Sequence, residues 1–76
     1  MKKLNELKIN ESGTICGIKD RNRRIEGRLR DIGFLEGCEV TCVSRSPLGD
    51  PAAFSVRGAV IALRCEDAAC VEVEEA

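Results

Sequence analysis

Apolar residues fall at i, i+4 and i+7 in one stretch of the chain, Ile25, Leu29 and Ile32. That spacing puts them on one face of a helix and predicts a helix over 22–32. Asp20 or Asn22 offers a side-chain oxygen to cap its start. Gly33 stands where a helix end takes a left-handed residue. A helix this short does not hold in water by itself, so it must pack on something.

The rest of the chain reads as strands and turns. Leu4, Leu7 and Ile9 suggest a single turn leading towards a strand, and Ser12-Gly13 a turn. Strands are predicted over 14–19 (interrupted at Gly17), 38–46, 52–56, 59–64 and 70–74. Between them lie a rigid loop, Pro47-Leu48-Gly49-Asp50-Pro51, a tight turn at Arg57-Gly58 and a short helical turn over 66–69. Prolines fix φ in such a loop and Gly49 supplies positive φ. About five short strands with turn signals between them favour a small, partly open barrel over a helical bundle. Open strand edges in such a barrel invite self-association. The expected core is Ile15, Ile18, Ile25, Leu29, Ile32, Val40, Cys42, Val56, Ile61, Leu63, Val71 and Val73.

Length makes this one domain, residues 1–76, with a marginal core. There is no Trp or Tyr, and Phe34 and Phe54 are the only aromatic bulk. The net charge of −1 argues against a nucleic-acid partner. Charge is nonetheless segregated. Residues 19–30 hold six basic and two acidic residues, and residues 66–76 hold five acidic and no basic ones. These two segments can attract each other across the fold. The opening Met-Lys-Lys-Leu-Asn-Glu-Leu lacks the apolar stretch of a signal peptide. No apolar run approaches the ~18 residues that span a bilayer. The expectation is a soluble, cytoplasmic chain that does not insert in membranes. Its odd count of five cysteines fits a reducing compartment.

The cysteines are the first candidates for chemistry. On a strand, Cys38, Val40, Cys42 and Ser44 share one face, and Glu39, Thr41, Val43 and Arg45 the other. Cys42 beside Val40 reads as a small core hydrophobe. Cys38 and Cys42 would lie ~13 Å apart at Cα on an extended strand, too far to share a tetrahedral ion. Cys65 and Cys70 flank a turn and can approach. A metal or redox role is therefore the alternative to a structural one. No His is present for acid–base work, and no phosphate loop or activated nucleophile is visible. The expectation is no enzyme, no cofactor and no metal site.

Arginines cluster at the helix, several in its first turn, where the dipole disfavours them. Either they form a solvated face, with Glu26 and Arg30 paired, or they dock an acidic partner. Leu48, between a proline and a glycine in a projecting loop, either folds back or is a contact point. The candidate partner-binding surface is Arg23, Arg24, Arg28 and Arg30 with Pro47, Leu48, Gly49 and Asp50.

These motifs occur together and in order: Arg28-Leu29, Ile32-Gly33, Gly37 before a strand, Pro47-Leu48-Gly49-Asp50-Pro51, Arg57-Gly58, Ala62-Leu63-Arg64, and Ala68 ahead of the last strand. Nearly the whole chain resembles the FeoA family, small cytosolic accessory proteins of bacterial ferrous iron transport. The resemblance implies a mainly β fold, an SH3-like barrel with one inserted helix. It implies a regulatory partner role towards the membrane transporter FeoB, through that protein's cytosolic GTP-binding part. It lends nothing to a metal site, since the cysteines are outside the family pattern. Ala52 and Ala53 are smaller than the pattern expects, leaving Phe54 to pack that edge. The same barrel closes iron-dependent repressors of the diphtheria-toxin repressor type, and a detached repressor domain is the lesser expectation, since no helix-turn-helix is read within these residues.

Overall fold

A computed structural model describes residues 2–19 and 24–75, with helix side chains described from position 27 onward. The element order is β1 (Lys2–Lys3), a 3-10 turn (Leu4–Glu6), β2 (Ser12–Ile18), α1 (Arg24–Asp31), β3 (Glu39–Arg45), β4 (Ala52–Val56), β5 (Ala59–Leu63), α2 (Cys65–Ala68) and β6 (Val71–Glu75). The strands form one antiparallel sheet in the order β1-β6-β2-β3-β4-β5. Its end strands, β1 and β5, do not pair with each other, so this SH3-like barrel is open. The expected helix is inserted between β2 and β3. The sixth strand, the pair Lys2–Lys3 on β6, carries no apolar alternation by which a sequence could announce it.

The strand boundaries differ from expectation where glycine and bulges intervene. Ser12-Gly13 is not a turn but the start of β2. A Cβ on Gly13 would stand 2.9 Å from the Glu74 carbonyl oxygen and 3.3 Å from Val73 Cβ, so only glycine lets β6 close this tightly. The register of β2 against β6 shifts between Ile15 and Gly17, a bulge at the interrupted site. A second shift lies in β3 between Cys42 and Ser44. It turns Ser44 outward, against the simple alternation expected for it. Arg45 opposes buried Ala52 instead. The Arg45 guanidinium then donates hydrogen bonds to the carbonyls of Asn5 and Leu7, tying the N-terminal turn to β3.

The core is Leu4, Leu7, Ile15, Leu29, Phe34, Val40, Cys42, Ala52, Phe54, Val56, Leu63, Ala68, Val71 and Val73. Leu4, Leu7 and both phenylalanines were absent from the expected core, and Phe54 does pack the alanine edge. Ile18 and Ile61 are only partly buried against it. Ile32 is 44 % exposed, which overturns its place in the core. The helix ends at Asp31, Gly33 takes φ 109°, and the chain reverses. Phe34 enters the core in place of Ile32. The expected helix cap, Asp20 or Asn22, lies outside the described residues, as do the side chains of Ile25 and Glu26.

Candidate functional site

Exposure at α1 and the proline loop defines the candidate surface. Arg28 and Arg30 are exposed on α1. Arg30 Nη2 lies 4.0 Å from Glu36 Oε1, the limit of an ion pair. Arg23 and the side chain of Arg24 lie outside the described residues. Leu48 is 94 % exposed, so it does not fold back onto the barrel. Pro47 and Asp50 are exposed beside it, and Gly49 takes φ 84°.

The loop is held rigidly despite its exposure. Ser46 N–H donates to the Pro51 carbonyl at 3.1 Å, and Gly49 N–H to the Ser46 carbonyl at 2.8 Å. Asp50 Oδ1 accepts a hydrogen bond from the backbone N–H of Cys65 at 2.9 Å. Cys65 is the first residue of α2, and Arg64 before it makes no side-chain cap. Asp50 thus supplies from another loop the acceptor that an N-cap side chain normally gives. The Cys65 thiol donates back to the Gly49 carbonyl at 3.6 Å.

α2 also joins the loop to the helix. A cleft of about 40 Å³ is lined by Arg28, Leu29 and Ile32 of α1, Leu63 at the end of β5 and Asp67 of α2. Cys65 grips the loop on one end of α2, and Asp67 faces the arginine helix on the other. The helical turn expected over 66–69 is found at Cys65–Ala68, but no periodic signal in four residues marks it as the bridge. Its two acidic residues in the first turn, Glu66 and Asp67, suit a helix start and were the available clue.

The segregated charges do meet in part. Lys19 Nζ lies 3.4 Å from Glu72 Oε1. At the other edge Lys2 Nζ lies 3.0 Å from Glu75 Oε1 and 3.3 Å from Glu11 Oε2, so one ammonium joins β1, β6 and the loop before β2. The Glu75 and Glu11 carboxylates raise the Lys2 pKa. The Lys8 backbone N–H, bonded to Glu11 Oε1 at 2.9 Å, and then Lys2 lower that of Glu11.

All five cysteines are free thiols. Cys42 is fully buried, its thiol 3.9 Å from the Ser44 carbonyl oxygen, and Cys38 packs against the core at the entrance of β3. The Cys16 thiol donates to the Thr14 carbonyl at 3.5 Å, and the Cys70 thiol to the Glu66 carbonyl at 3.5 Å. Cys65 and Cys70 therefore bond to different carbonyls, that of Gly49 in the loop and that of Glu66 within α2. No group of three or more His, Cys, Asp or Glu able to hold a metal ion occurs among the described residues. No helix among the described residues is long and apolar enough to cross a membrane.

Residues 2–75 match the FeoA domain family. The chain is 33 % identical over 72 residues to an Fe(2+) transport protein A/Fe(2+) transporter FeoB fusion protein of Porphyromonas gingivalis. The match takes in 95 % of this chain and 8 % of that one. The FeoA of Stenotrophomonas maltophilia, an SH3 domain protein solved as a zinc complex, superposes with a TM-score of 0.87 at 34 % identity. That match covers 97 % of this chain and 91 % of the other. A manganese-dependent transcriptional repressor superposes with a TM-score of 0.88 at 16 % identity, covering 99 % of this chain and 41 % of that one, which is a likeness of fold alone.

Proposed function

The chain belongs to the FeoA domain family, and from that membership we propose that it is a non-enzymatic, cytoplasmic accessory module of ferrous iron transport that binds the cytosolic GTP-binding part of the membrane transporter FeoB. One observation carries this reading. In the Porphyromonas gingivalis relative, the matching segment and FeoB are parts of one fusion protein. Covalent linkage holds two modules at high effective concentration. That linkage supports an association between the two modules, which this chain would make through a surface of its own. The proposed surface is Arg23, Arg24, Arg28 and Arg30 with the loop Pro47, Leu48, Gly49 and Asp50. The chain acts there as a single folded unit over residues 1–76.

The surface has the right physical character. Leu48 presents an apolar tip on a hydrogen-bonded loop, so little ordering entropy is lost when it docks. The arginines add charge recognition of an acidic partner. The test is capture of detergent-solubilised membrane proteins on the tagged chain, with and without a GTP analogue. Retention of a FeoB-type transporter is expected, weakened by charge reversal at Arg24 and Arg28 in a variant whose circular dichroism is unchanged. Failure of the folded chain to retain it under both conditions overturns the proposal.

A further inference from the structure

β5 ends the sheet, and among the described residues it pairs with β4 alone. The hairpin decides which of its backbone groups are spare. Arg57 and Gly58 both have positive φ, 52° and 82°, which makes the two-residue turn of a tight hairpin. Such a turn closes on a hydrogen-bonded pair, here Val56 with Ala59. Bonded pairs then alternate to Phe54–Ile61 and Ala52–Leu63. The N–H and C=O groups of Val60 and Ala62 therefore point away from β4, onto the open edge.

Nothing in the strand guards that edge. Proteins usually blunt an edge with lysine, proline or a bulge. β5 reads AVIAL, its register with β4 is unbroken, and Val60 is 66 % exposed. Charge stands only at its ends. Arg57 and Arg64 are exposed there, and Arg28 stands across the cleft at the Leu63 end.

We propose that the outer edge of β5 takes up an extended segment of a partner protein as an added strand, apolar in its middle and acidic at its ends. Backbone pairing to Val60 and Ala62 supplies adhesion, as in other strand additions. The carboxylates of the segment meet Arg57 and Arg64. At the Leu63 end, Asp67 in the cleft disfavours a carboxylate inside it and favours an apolar side chain against Ile32 and Leu63, which leaves the acidic end of the segment outside the cleft, beside Arg64.

The same charges select against a second copy. Two β5 strands paired antiparallel about Ile61 would set Arg64 of one copy opposite Gly58 of the other and diagonal to its Arg57. Like charges so placed oppose pairing, and an acidic-ended segment turns that repulsion into attraction. This site does not depend on which transporter the chain serves.

The test is titration of the isotope-labelled chain, at low salt, with two short synthetic peptides. Both have a Thr-Val-Thr-Val-Thr centre, one ending in Asp-Glu pairs and the other in Lys-Arg pairs. The acidic peptide is expected to slow amide exchange at Val60 and Ala62 and to leave Ile61, already bonded to β4, unchanged. Ala62→Pro, which deletes one outward N–H, should weaken binding roughly fivefold or more. The pair Arg57→Asp and Arg64→Glu tests the charge rule without touching the strand, and should reverse the preference between peptides. Four results each overturn the proposal: no acidic-peptide binding at millimolar concentration, equal binding of both peptides, protection elsewhere, or protection of Val60 and Ala62 that rises with chain concentration alone, which would make a second copy the occupant.

Discussion

The backbone N–H of Phe34 donates to the carbonyl of Leu29 at 2.9 Å, across the end of α1. With Gly33 N–H on the Arg30 carbonyl at 3.1 Å, this is the paired hydrogen bonding of a Schellman turn. The turn closes the helix, swings Phe34 into the core over Leu29 and leaves Ile32 at the rim. Leu29→Ala should therefore cost ~2–5 kcal/mol, as large-to-small core changes do. Ile32→Ala, though on the same helical face, should cost about 1 kcal/mol or less. Gly33→Ala should cost about 1 kcal/mol or more, because φ 109° strains any residue with a Cβ. Urea unfolding of the three variants checks the order. Equal losses at Leu29 and Ile32 would restore Ile32 to the core.

That end of the helix also shows what a sequence reveals and hides. The period of Ile25, Leu29 and Ile32 and the glycine after it were enough to place the helix and its end. The period could not say that the turn would spend its last position, because the reversal puts Phe34 where the next helical residue would point. Val40, Cys42, Val56, Leu63, Val71 and Val73 followed from simple strand alternation, and all are buried. Alternation failed at Ser44 because a bulge consumes one residue, and nothing in Thr-Cys-Val-Ser-Arg marks that bulge. Leu4 and Leu7 were missed as core because a single 3-10 turn has no period to read. The candidate surface was half legible. The rigid loop around Leu48 could be read, but not whether Leu48 folds back or projects, and the role of α2 depends on Asp50 reaching Cys65 in three dimensions.

Asp50 should matter to that loop as an acceptor. Asp50→Ala removes the hydrogen bond to the Cys65 N–H, and the loss should be about 0.5–1 kcal/mol, the low end for a helix cap because the site is exposed. Asp50→Asn keeps an oxygen there and should recover most of it. The local signature is faster amide exchange at Cys65 in the alanine variant. Unchanged exchange would mean the loop holds without this contact.

The cysteines should separate by burial. Cys42 is wholly inside the core, and the other four are partly accessible. With a small thiol reagent and mass spectrometry, four modifications should accumulate in the native protein. The fifth, at Cys42, should keep pace with global unfolding. Early labelling of Cys42 would mean that the β3–β4 core opens locally, against the packing of Phe54 and Val40 around it.

The Lys2 junction predicts how stability depends on pH. The Glu11 pKa is lowered below its ordinary 4.5, first by the Lys8 N–H and then by Lys2, so the folded state favours the carboxylate. That contribution is complete above the unfolded value and is lost as pH falls through the folded one. The Lys2 pKa is raised above its ordinary 10.5, first by Glu75 and then by Glu11, so its contribution is complete below that value and is lost as pH rises through the folded one. A plateau of melting temperature between about pH 5 and pH 10 should fall away on both sides. Glu11→Gln keeps an oxygen for the Lys8 N–H but cannot ionise, so its acid limb should be shallower than that of the parent chain. Lys2→Met should flatten the alkaline limb. Both differences should shrink in high salt, since these side chains face solvent and ions screen them. Parallel acid limbs for the parent chain and Glu11→Gln would show that the junction adds nothing to acid stability.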